Sequence, residues 1–262
     1  MRLVLKFGSG ILATARGNTL DTKQFRRLTQ EVASLVHDGH ECILVSSGAV
    51  AAGLGALGFR ERPEDLPSRQ ACAAIGQSKL MQAYSENFEP HELQVAQVLL
   101  THGDIDSRTR CENVRATLGC ILQRRRVVPI INENDTVATE ELRFGDNDRL
   151  SAEVAMLLNA DMLVLLTSVE GLLDARGKRI PEVQHVESVT RLARNDKGRL
   201  SVGGMVSKLQ AVKLAVDSGI TTYIASGRKA GQIAAITKGK DIGTKFLPRL
   251  LDKNRVLKDS QP

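Results

Sequence analysis

The chain has 262 residues, of which 42% are hydrophobic and 25% are charged, and its formal net charge at pH 7 is +6. This length and composition fit an ordinary globular protein of one α/β domain or two small ones, and they exclude a disordered, collagen-like or coiled-coil chain. Aromatic residues make up 3% and tryptophan is missing, so we expect no nucleic-acid partner. The basic charge is compatible with nucleic-acid binding, with attraction of small anionic ligands or with no specific partner, and we interpret it as a field that steers anions.

Strand-like and helix-like segments alternate along the chain, which predicts a mainly parallel sheet covered by helices. In chain order, strands are predicted at residues 3–7, 42–46, 93–100, 127–131, 162–167 and 221–225. The clearest helices are predicted at residues 22–37, 69–88, 113–124, 148–158 and 206–217. Because no repeat or low-complexity linker interrupts this pattern, we expect one domain over residues 1–247, followed by a basic C-terminal tail at residues 248–262.

The termini and the cysteines indicate the compartment. The apolar run before Lys6 is only three residues long, which predicts that no signal peptide is present. No apolar run approaches the roughly 18 residues that a membrane helix needs. The four cysteines show no C-x-x-C spacing, which indicates reduced thiols rather than a disulfide framework or a zinc site. We therefore expect a soluble cytoplasmic protein without a membrane partner or a metal held by protein ligands.

Ligands of open α/β sheets bind beyond the carboxyl ends of the strands, and two such ends run into glycine-rich turns. In the first turn, Lys6 is followed by Gly8 and Ser9; in the second, Ser47 and Gly48 precede a helix rich in alanine and glycine. Backbone amides in such turns approach anions closely, and a lysine adds a full charge. The alternative is a plain glycine turn with a solvated lysine. A G-x-G-x-x-G match at residues 53–58 is interpreted as accidental, because it begins inside the helix.

Two further segments carry polar or glycine-rich sequence at predicted strand and helix ends. Residues 132–135 and 145–148 bring several carboxylates and amides together, and such groups either face water or bind a cationic partner such as an ammonium group or Mg²⁺. The alternative for Asp148 is a helix N-cap. Residues 203–208 place two glycines and Lys208 at a helix start. Two lysine-and-glycine turns with one acidic loop suggest phosphoryl transfer.

The sequence resembles the amino acid kinase family over residues 1 to about 247. The segments that carry the resemblance occur in the order and spacing of the family, at residues 5–9, 46–53, 73–77, 130–135, 145–148 and 203–205. The resemblance implies a three-layer sandwich with a mainly parallel, roughly eight-stranded sheet between helices. Many members carry a C-terminal PUA domain of the RNA-binding type, and we expect this chain to be the short form without it.

The acidic segments at residues 132–135 and 145–148 are more particular to the members that act on glutamate. They imply ATP-dependent phosphorylation of the γ-carboxylate of L-glutamate, the first step of proline biosynthesis, with ATP and Mg²⁺ as cofactors. The resemblance also implies feedback inhibition by proline and a homo-oligomer. The alternatives are another family member that acts on a different carboxylate or carbamate acceptor, and an idle ligand-sensing or nucleic-acid-binding module.

The resemblance further implies the roles of individual residues. The transferred phosphoryl group would lie between Lys6 and Lys208, which Asp148 would orient. Glutamate would be held by Ser47, Gly48, Asp135 and Asn147. The nucleotide would be bordered by Lys6, Gly8, Ser9, Thr167, Ser168, Gly203, Gly204, Met205, Ser207 and Lys208. The chain departs from the family at Ser168, where an aspartate is usual, and at Val202 and Ser207, where threonines are commoner.

The physical requirements of this reaction agree with these residue types. A γ-carboxylate with a pKa of about 4.3 is already ionised at pH 7, so the nucleophile needs no general base. It needs relief from the repulsion between two anions, which is about 4 kcal/mol for each pair of unit charges at ~4 Å and an effective dielectric constant near 20. Lysines, Mg²⁺ and the amides of glycine turns provide that relief.

Overall fold

The computed structural model describes residues 1–14, 17–138, 146–193 and 204–249. Within these residues, eight strands form one sheet in the order β3-β4-β2-β1-β5-β7-β8-β6. The strands are β1 (Arg2–Phe7), β2 (Glu41–Ser46), β3 (Gln94–Leu100), β4 (Val127–Glu133), β5 (Met162–Thr167), β6 (Glu182–Val183), β7 (Thr221–Ser226) and β8 (Thr244–Phe246).

Helices cover both faces of this sheet, so the predicted three-layer α/β architecture is confirmed. In the described residues they are α1 (Ser9–Leu12), α2 (Thr22–His37), α3 (Ala49–Gly53), α4 (Leu66–Phe88), α5 (His102–Asp106), α6 (Arg108–Leu122), α7 (Asp146–Leu157), α8 (Thr190–Ala193), α9 (Met205–Asp217) and α10 (Gln232–Thr237). None of these helices is long and apolar enough to cross a membrane.

The six strands predicted from the sequence form a continuous parallel block from β3 to β7. Strand β8 runs antiparallel to β7, and β6 pairs with β8 at the edge. The sequence analysis did not locate β6 and β8, because strands of two and three residues are too short to show a periodic pattern. Of the predicted tail at residues 248–262, residues 250–262 lie outside the described residues.

Side chains of the central strand β1 alternate between two apolar cores. Leu3, Leu5 and Phe7 join the core that contains residues of α2 and α4, whereas Val4 joins the core that contains residues of α7 and α9. Because successive side chains of a strand point to opposite faces, Lys6 lies on the same face as Val4. The period of two therefore directs the lysine toward α7 and α9.

Close packing of α3 against α4 fixes the segment that follows β2. A Cβ atom on Gly76 would lie 1.7 Å from the carbonyl oxygen of Ala49, and one on Gly53 would lie 1.9 Å from that of Cys72. Glycine is thus required at both positions by backbone contact between the helices. This packing role for Gly53 supports the interpretation that the G-x-G-x-x-G match is accidental.

Candidate active site

Two lysines meet on one buried aspartate at the carboxyl end of β1. The Nζ atom of Lys6 lies 2.6 Å from Oδ1 of Asp148, and the Nζ atom of Lys208 lies 3.1 Å from Oδ2. The hydroxyl of Ser207 also donates a hydrogen bond to Oδ2, at 3.0 Å. The aspartate is only 1% exposed. The structure thus brings together the three residues predicted to be catalytic.

Opposing effects act on the ionisation of this aspartate. Burial raises the pKa of Asp148, but the charges of Lys6 and Lys208 and their hydrogen bonds outweigh burial, so the pKa lies below its usual range. The carboxylate is therefore ionised at neutral pH, and the cluster of two ammonium groups and one carboxylate carries an excess positive charge. Such a cluster attracts an anion that approaches from the cavity, where Lys6 and Asp148 line the wall.

Three elements supply the cluster. Lys6 comes from β1, Lys208 is the fourth residue of α9, and Asp148 is the third residue of α7. Because α7 begins at Asp146, Asp148 lies inside the first turn, and the alternative that it is the helix N-cap is wrong. Its carboxylate is instead turned toward the sheet and α9. The hydroxyl that Ser207 provides is the group that a threonine would provide at this position.

An ion-paired cluster holds the middle of α7. Nδ1 of His102, at the start of α5, lies 2.9 Å from Oε2 of Glu153, and Nε of Arg149 lies 2.7 Å from Oε1. Burial raises the pKa of Glu153, but hydrogen bonds from His102 and Arg149 outweigh burial and lower it. The helix that carries Asp148 is therefore anchored at two places along its length.

A cavity of about 280 Å³ opens next to the lysine–aspartate cluster. All four residues predicted to hold glutamate line it, namely Ser47, Gly48, Asp135 and Asn147. The Nδ2 group of Asn147 donates hydrogen bonds to the Ser47 hydroxyl at 3.2 Å and to Oδ1 of Asn132 at 3.0 Å. These bonds connect the turn after β2, the end of β4 and the start of α7, so the cavity wall is fixed before any ligand binds.

The two glycine turns differ in how strictly their backbone requires glycine. Gly48 has a φ angle of +105°, a conformation that side chains rarely allow. A Cβ atom on Gly8 would lie 3.4 Å from the carbonyl oxygen of Leu166 and 3.6 Å from the Nζ atom of Lys6. Ser9, the first residue of α1, lines the cavity. A Cβ atom at position 8 would therefore make ordinary van der Waals contacts with the carbonyl of Leu166 and with the lysine.

Lys6 and Ser9, which are predicted to border the nucleotide, line the cavity, whereas four others lie on the side of β1 away from β2. Thr167 ends β5 and Ser168 follows it, while Gly204 and Met205 stand at the start of α9. Gly203 and Val202 lie outside the described residues. Thr167, Ser168, Gly204 and Met205 are not part of the cavity wall that the structure describes. Their proximity to the nucleotide stays a prediction.

Sequence reasoning missed five polar residues of the described cavity wall, one of which is Thr14. Asn132 and Glu133 belong to the quoted acidic segment but were assigned no role, whereas Arg62 and Arg228 belong to no motif. The two arginines come from segments that are far apart in sequence. Their position in the wall depends on the tertiary fold, and no local pattern indicates it.

The comparisons with known proteins agree with this geometry. A profile described as "Amino acid kinase family" matches residues 1–226. The chain belongs to this family. It is 48% identical over 255 residues to the glutamate 5-kinase of Moorella thermoacetica, and this alignment covers 95% of this chain and 67% of that protein. It is 46% identical over 254 residues to the glutamate 5-kinase of Thermus thermophilus, and this alignment covers 95% of this chain and 68% of that protein.

Solved structures show the same fold of the family at low sequence identity. The UMP kinase from Bacillus anthracis superposes with a TM-score of 0.63 at 16% identity, over 94% of this chain and 96% of that chain. The N-acetylglutamate synthase from Neisseria gonorrhoeae, complexed with coenzyme A and L-arginine, superposes with a TM-score of 0.65 at 14% identity, over 95% of this chain and 61% of that chain. The chain itself spans about two thirds of the length of its glutamate 5-kinase relatives.

Replacing Asp148 by asparagine tests the lysine–aspartate cluster. The amide keeps the size of the side chain but removes the negative charge that holds the two ammonium groups, so we expect kcat to fall by at least about 100-fold. Because the pKa of Asp148 is lowered by folding, its ionised form stabilises the native state above pH ~4, and this contribution is lost as the pH falls through the lowered value. The difference in melting temperature between wild type and D148N should therefore stay constant from pH 7 down to about pH 4 and shrink only at lower pH.

The matched control is Asp21→Asn. Asp21 is the N-cap of α2 and accepts a hydrogen bond from the amide of Gln24 at 3.1 Å. Asparagine caps helices about as well as aspartate, so this variant should keep wild-type kcat. Wild-type turnover in D148N would remove Asp148 from the mechanism.

Proposed function

We propose that this chain transfers the γ-phosphoryl group of ATP to the γ-carboxylate of L-glutamate, which gives L-glutamyl 5-phosphate and ADP, in the first step of proline biosynthesis. The observation that carries the proposal is the buried cluster of Lys6, Asp148 and Lys208 beside a cavity lined by Asp135 and Asn147. The similarity to glutamate 5-kinases over 95% of the chain supports it. We assign the reaction to residues 1–247.

In this proposal, the two lysines provide most of the electrostatic stabilisation of the transferred phosphoryl group. The γ-carboxylate is already ionised at neutral pH and attacks without a general base. Lys6 and Lys208 stabilise the negative charge of the phosphoryl group as the two anions approach each other. Asp148 is a positioning residue, because it holds the two ammonium groups at a fixed separation and takes up no proton. Burial of the cluster keeps water from screening these interactions.

The polar wall of the cavity selects the acceptor. The carboxylate of Asp135 is suited to pair with the α-ammonium group of glutamate, and such a charge-assisted hydrogen bond is about twice as strong as a neutral one. The amide of Asn147, the hydroxyl of Ser47 and the backbone amide at Gly48 are suited to the carboxylates of the substrate. The hydrogen bond between Asn147 and Ser47 at 3.2 Å orients both groups in advance.

We propose that Mg²⁺ enters with the nucleotide. Mg²⁺ is usually bound by one or two carboxylates together with water and substrate phosphates, and the described cavity wall offers Glu133 besides the lysine-bound Asp148 and Asp135, which is assigned to the ammonium group. When bound, the ion neutralises charge on the phosphate oxygens. The donor set therefore fits an ion shared with the nucleotide. Among the described residues there is no cluster of three or more metal-ligating side chains.

We also propose that proline inhibits the chain from the glutamate site, and that the chain acts as a homo-oligomer in the cytoplasm. Proline carries the same α-carboxylate as glutamate and a secondary ammonium group. It is therefore suited to the part of the cavity next to Asp135 and Asn147, while it lacks a γ-carboxylate to be phosphorylated.

A panel of acceptors tests the proposed reaction. ADP release is measured with glutamate, N-acetylglutamate, aspartate, carbamate and UMP at saturating Mg-ATP. We expect kcat/KM for glutamate to exceed every other value by at least about 100-fold, since a site built around a polar group discriminates strongly against an acceptor that lacks it. A higher value for any other acceptor would overturn the proposal.

Replacing Asp135 by asparagine tests the ammonium site. The substitution keeps the shape and removes the charge, so the KM for glutamate should rise by about 10-fold to 100-fold while the KM for ATP changes by less than about twofold. Equal changes in both constants would indicate a structural or metal-binding role instead. Asp21→Asn again serves as the control and should leave both constants unchanged.

Competition kinetics test the site of proline. Inhibition by proline should weaken as the glutamate concentration rises, and D135N should lose sensitivity to proline together with affinity for glutamate. Inhibition that does not depend on glutamate concentration would require a separate site.

A further inference from the structure

We propose that Arg228 binds the polyphosphate of the nucleotide at the edge of the cavity, as a third cation beside Lys6 and Lys208. The inference rests on the proposed function only for the nature of the ligand, a nucleoside triphosphate. Neither the motifs nor the predicted site residues include Arg228.

The guanidinium of Arg228 lies at the first glycine turn. Its Nη2 atom donates a hydrogen bond to the carbonyl oxygen of Gly10 at 2.5 Å. Arg228 lines the cavity together with Lys6, Ser9 and Gly10. It follows the end of β7 by two residues, and β1, β5 and β7 are parallel, so their carboxyl ends lie at one edge of the sheet. The arginine is therefore on the side of β1 where we expect the nucleotide.

The backbone next to Arg228 is fixed by contacts on three sides. The amide of Gly227 donates to the carbonyl oxygen of Thr167 at 2.8 Å, and the carbonyl oxygen of Gly227 accepts hydrogen bonds from the side chains of Gln24 and Arg27. A Cβ atom on Gly227 would lie 2.4 Å from Cδ1 of Ile11, so the turn packs directly on α1. Such contacts fix the backbone from which the Arg228 side chain extends to the glycine turn, where it bonds to the carbonyl oxygen of Gly10.

The distribution of charge around the cavity favours a phosphate ligand for Arg228. The carboxylates in the described wall are those of Glu133, Asp135 and Asp148, and two lysines neutralise Asp148. The remaining two lie at and just beyond the end of β4, which is separated from β1 by β2. The part of the described wall formed by Ser9 and Gly10 has no carboxylate. An anion there meets the cations Lys6 and Arg228.

The chemistry of the side chain fits the same ligand. A guanidinium presents five N–H donors in a planar fork that matches the oxygens of a phosphate group. Among the described residues, one donor is used on Gly10, and this bond holds the plane in one orientation. The donors other than the one bonded to Gly10 would contact the phosphate oxygens. A lysine would supply the charge but not the paired hydrogen bonds.

The experiment compares three variants by calorimetric titration with the β,γ-imido analogue of ATP and with ADP, in the presence of Mg²⁺ and without any acceptor. In R228Q the affinity for the imido analogue should fall by about 10-fold to 100-fold, which is the effect of losing a charge-assisted hydrogen-bond pair. The affinity of R228K for the imido analogue should lie between those of R228Q and wild type. The KM for glutamate in R228Q should stay within about twofold of the wild-type value.

Lys229→Gln is the matched control. Lys229 is the next residue and its Nζ atom lies 2.5 Å from Oε1 of Glu170, so K229Q removes a cation from the same loop but not from the described cavity wall. We expect its affinity for the imido analogue to stay within about twofold of wild type. An equal fall in K229Q and R228Q would indicate a general effect of charge and would overturn the inference.

Two further outcomes would contradict the proposal. Unchanged nucleotide affinity in R228Q would exclude a contact with phosphate. A joint loss of nucleotide affinity, glutamate affinity and melting temperature would show that Arg228 acts only as a support for Gly10. Because binding is measured without an acceptor, a failure of the acceptor panel would leave this result intact, and the two proposals fail separately.

Discussion

The buried pairing of Asp148 with Lys6 and Lys208 is the interaction on which the arrangement of the site depends. Burying three charged groups is costly, and an ion-paired cluster of this kind usually adds little to stability compared with apolar packing. Removing one member would leave uncompensated charge. The cluster therefore constrains β1, α7 and α9 to one mutual position, and its value to the protein lies in the fixed placement of two ammonium groups beside the cavity.

The order of the sheet explains why this cluster can serve two ligands. Strand β1 lies between β2 and β5, so Lys6 stands at the boundary of two halves. The turns after β2 and β4 supply the polar wall suited to an amino acid, and the ends of β5 and β7 with α9 provide the side proposed for the nucleotide. A reaction that joins two anions needs positive charge where they meet, and in this fold that point coincides with the end of the central strand.

The sequence predicted most of this architecture because long elements carry strong patterns. The boundaries of α2 and β5 were predicted to the residue, whereas α6 begins five residues before the predicted start at Asn113. Residues 108–112 are polar and charged, and their helical structure depends on tertiary context. The cluster of Lys6, Asp148 and Lys208 followed from the family resemblance, since no spacing in the sequence brings three such distant residues together. Arg62 and Arg228 could not be predicted, because single cations outside motifs become informative only when the fold places them on a cavity wall.

The choice of acceptor must come from the cavity wall, because proteins with different activities share this fold. The sheet and its helices superpose on a UMP kinase at 16% identity, so they cannot by themselves determine which molecule is phosphorylated. The wall beside Lys6 is different in kind: Asn147 is bonded to Ser47 and Asn132, and Asp135 adds a carboxylate next to them. An acceptor with an ammonium group and a carboxylate meets complementary partners there, whereas a phosphate acceptor would meet the carboxylates of Glu133 and Asp135. In the proposed reaction, the central lysines provide the chemistry of transfer, and the segment at the end of β4 discriminates between acceptors.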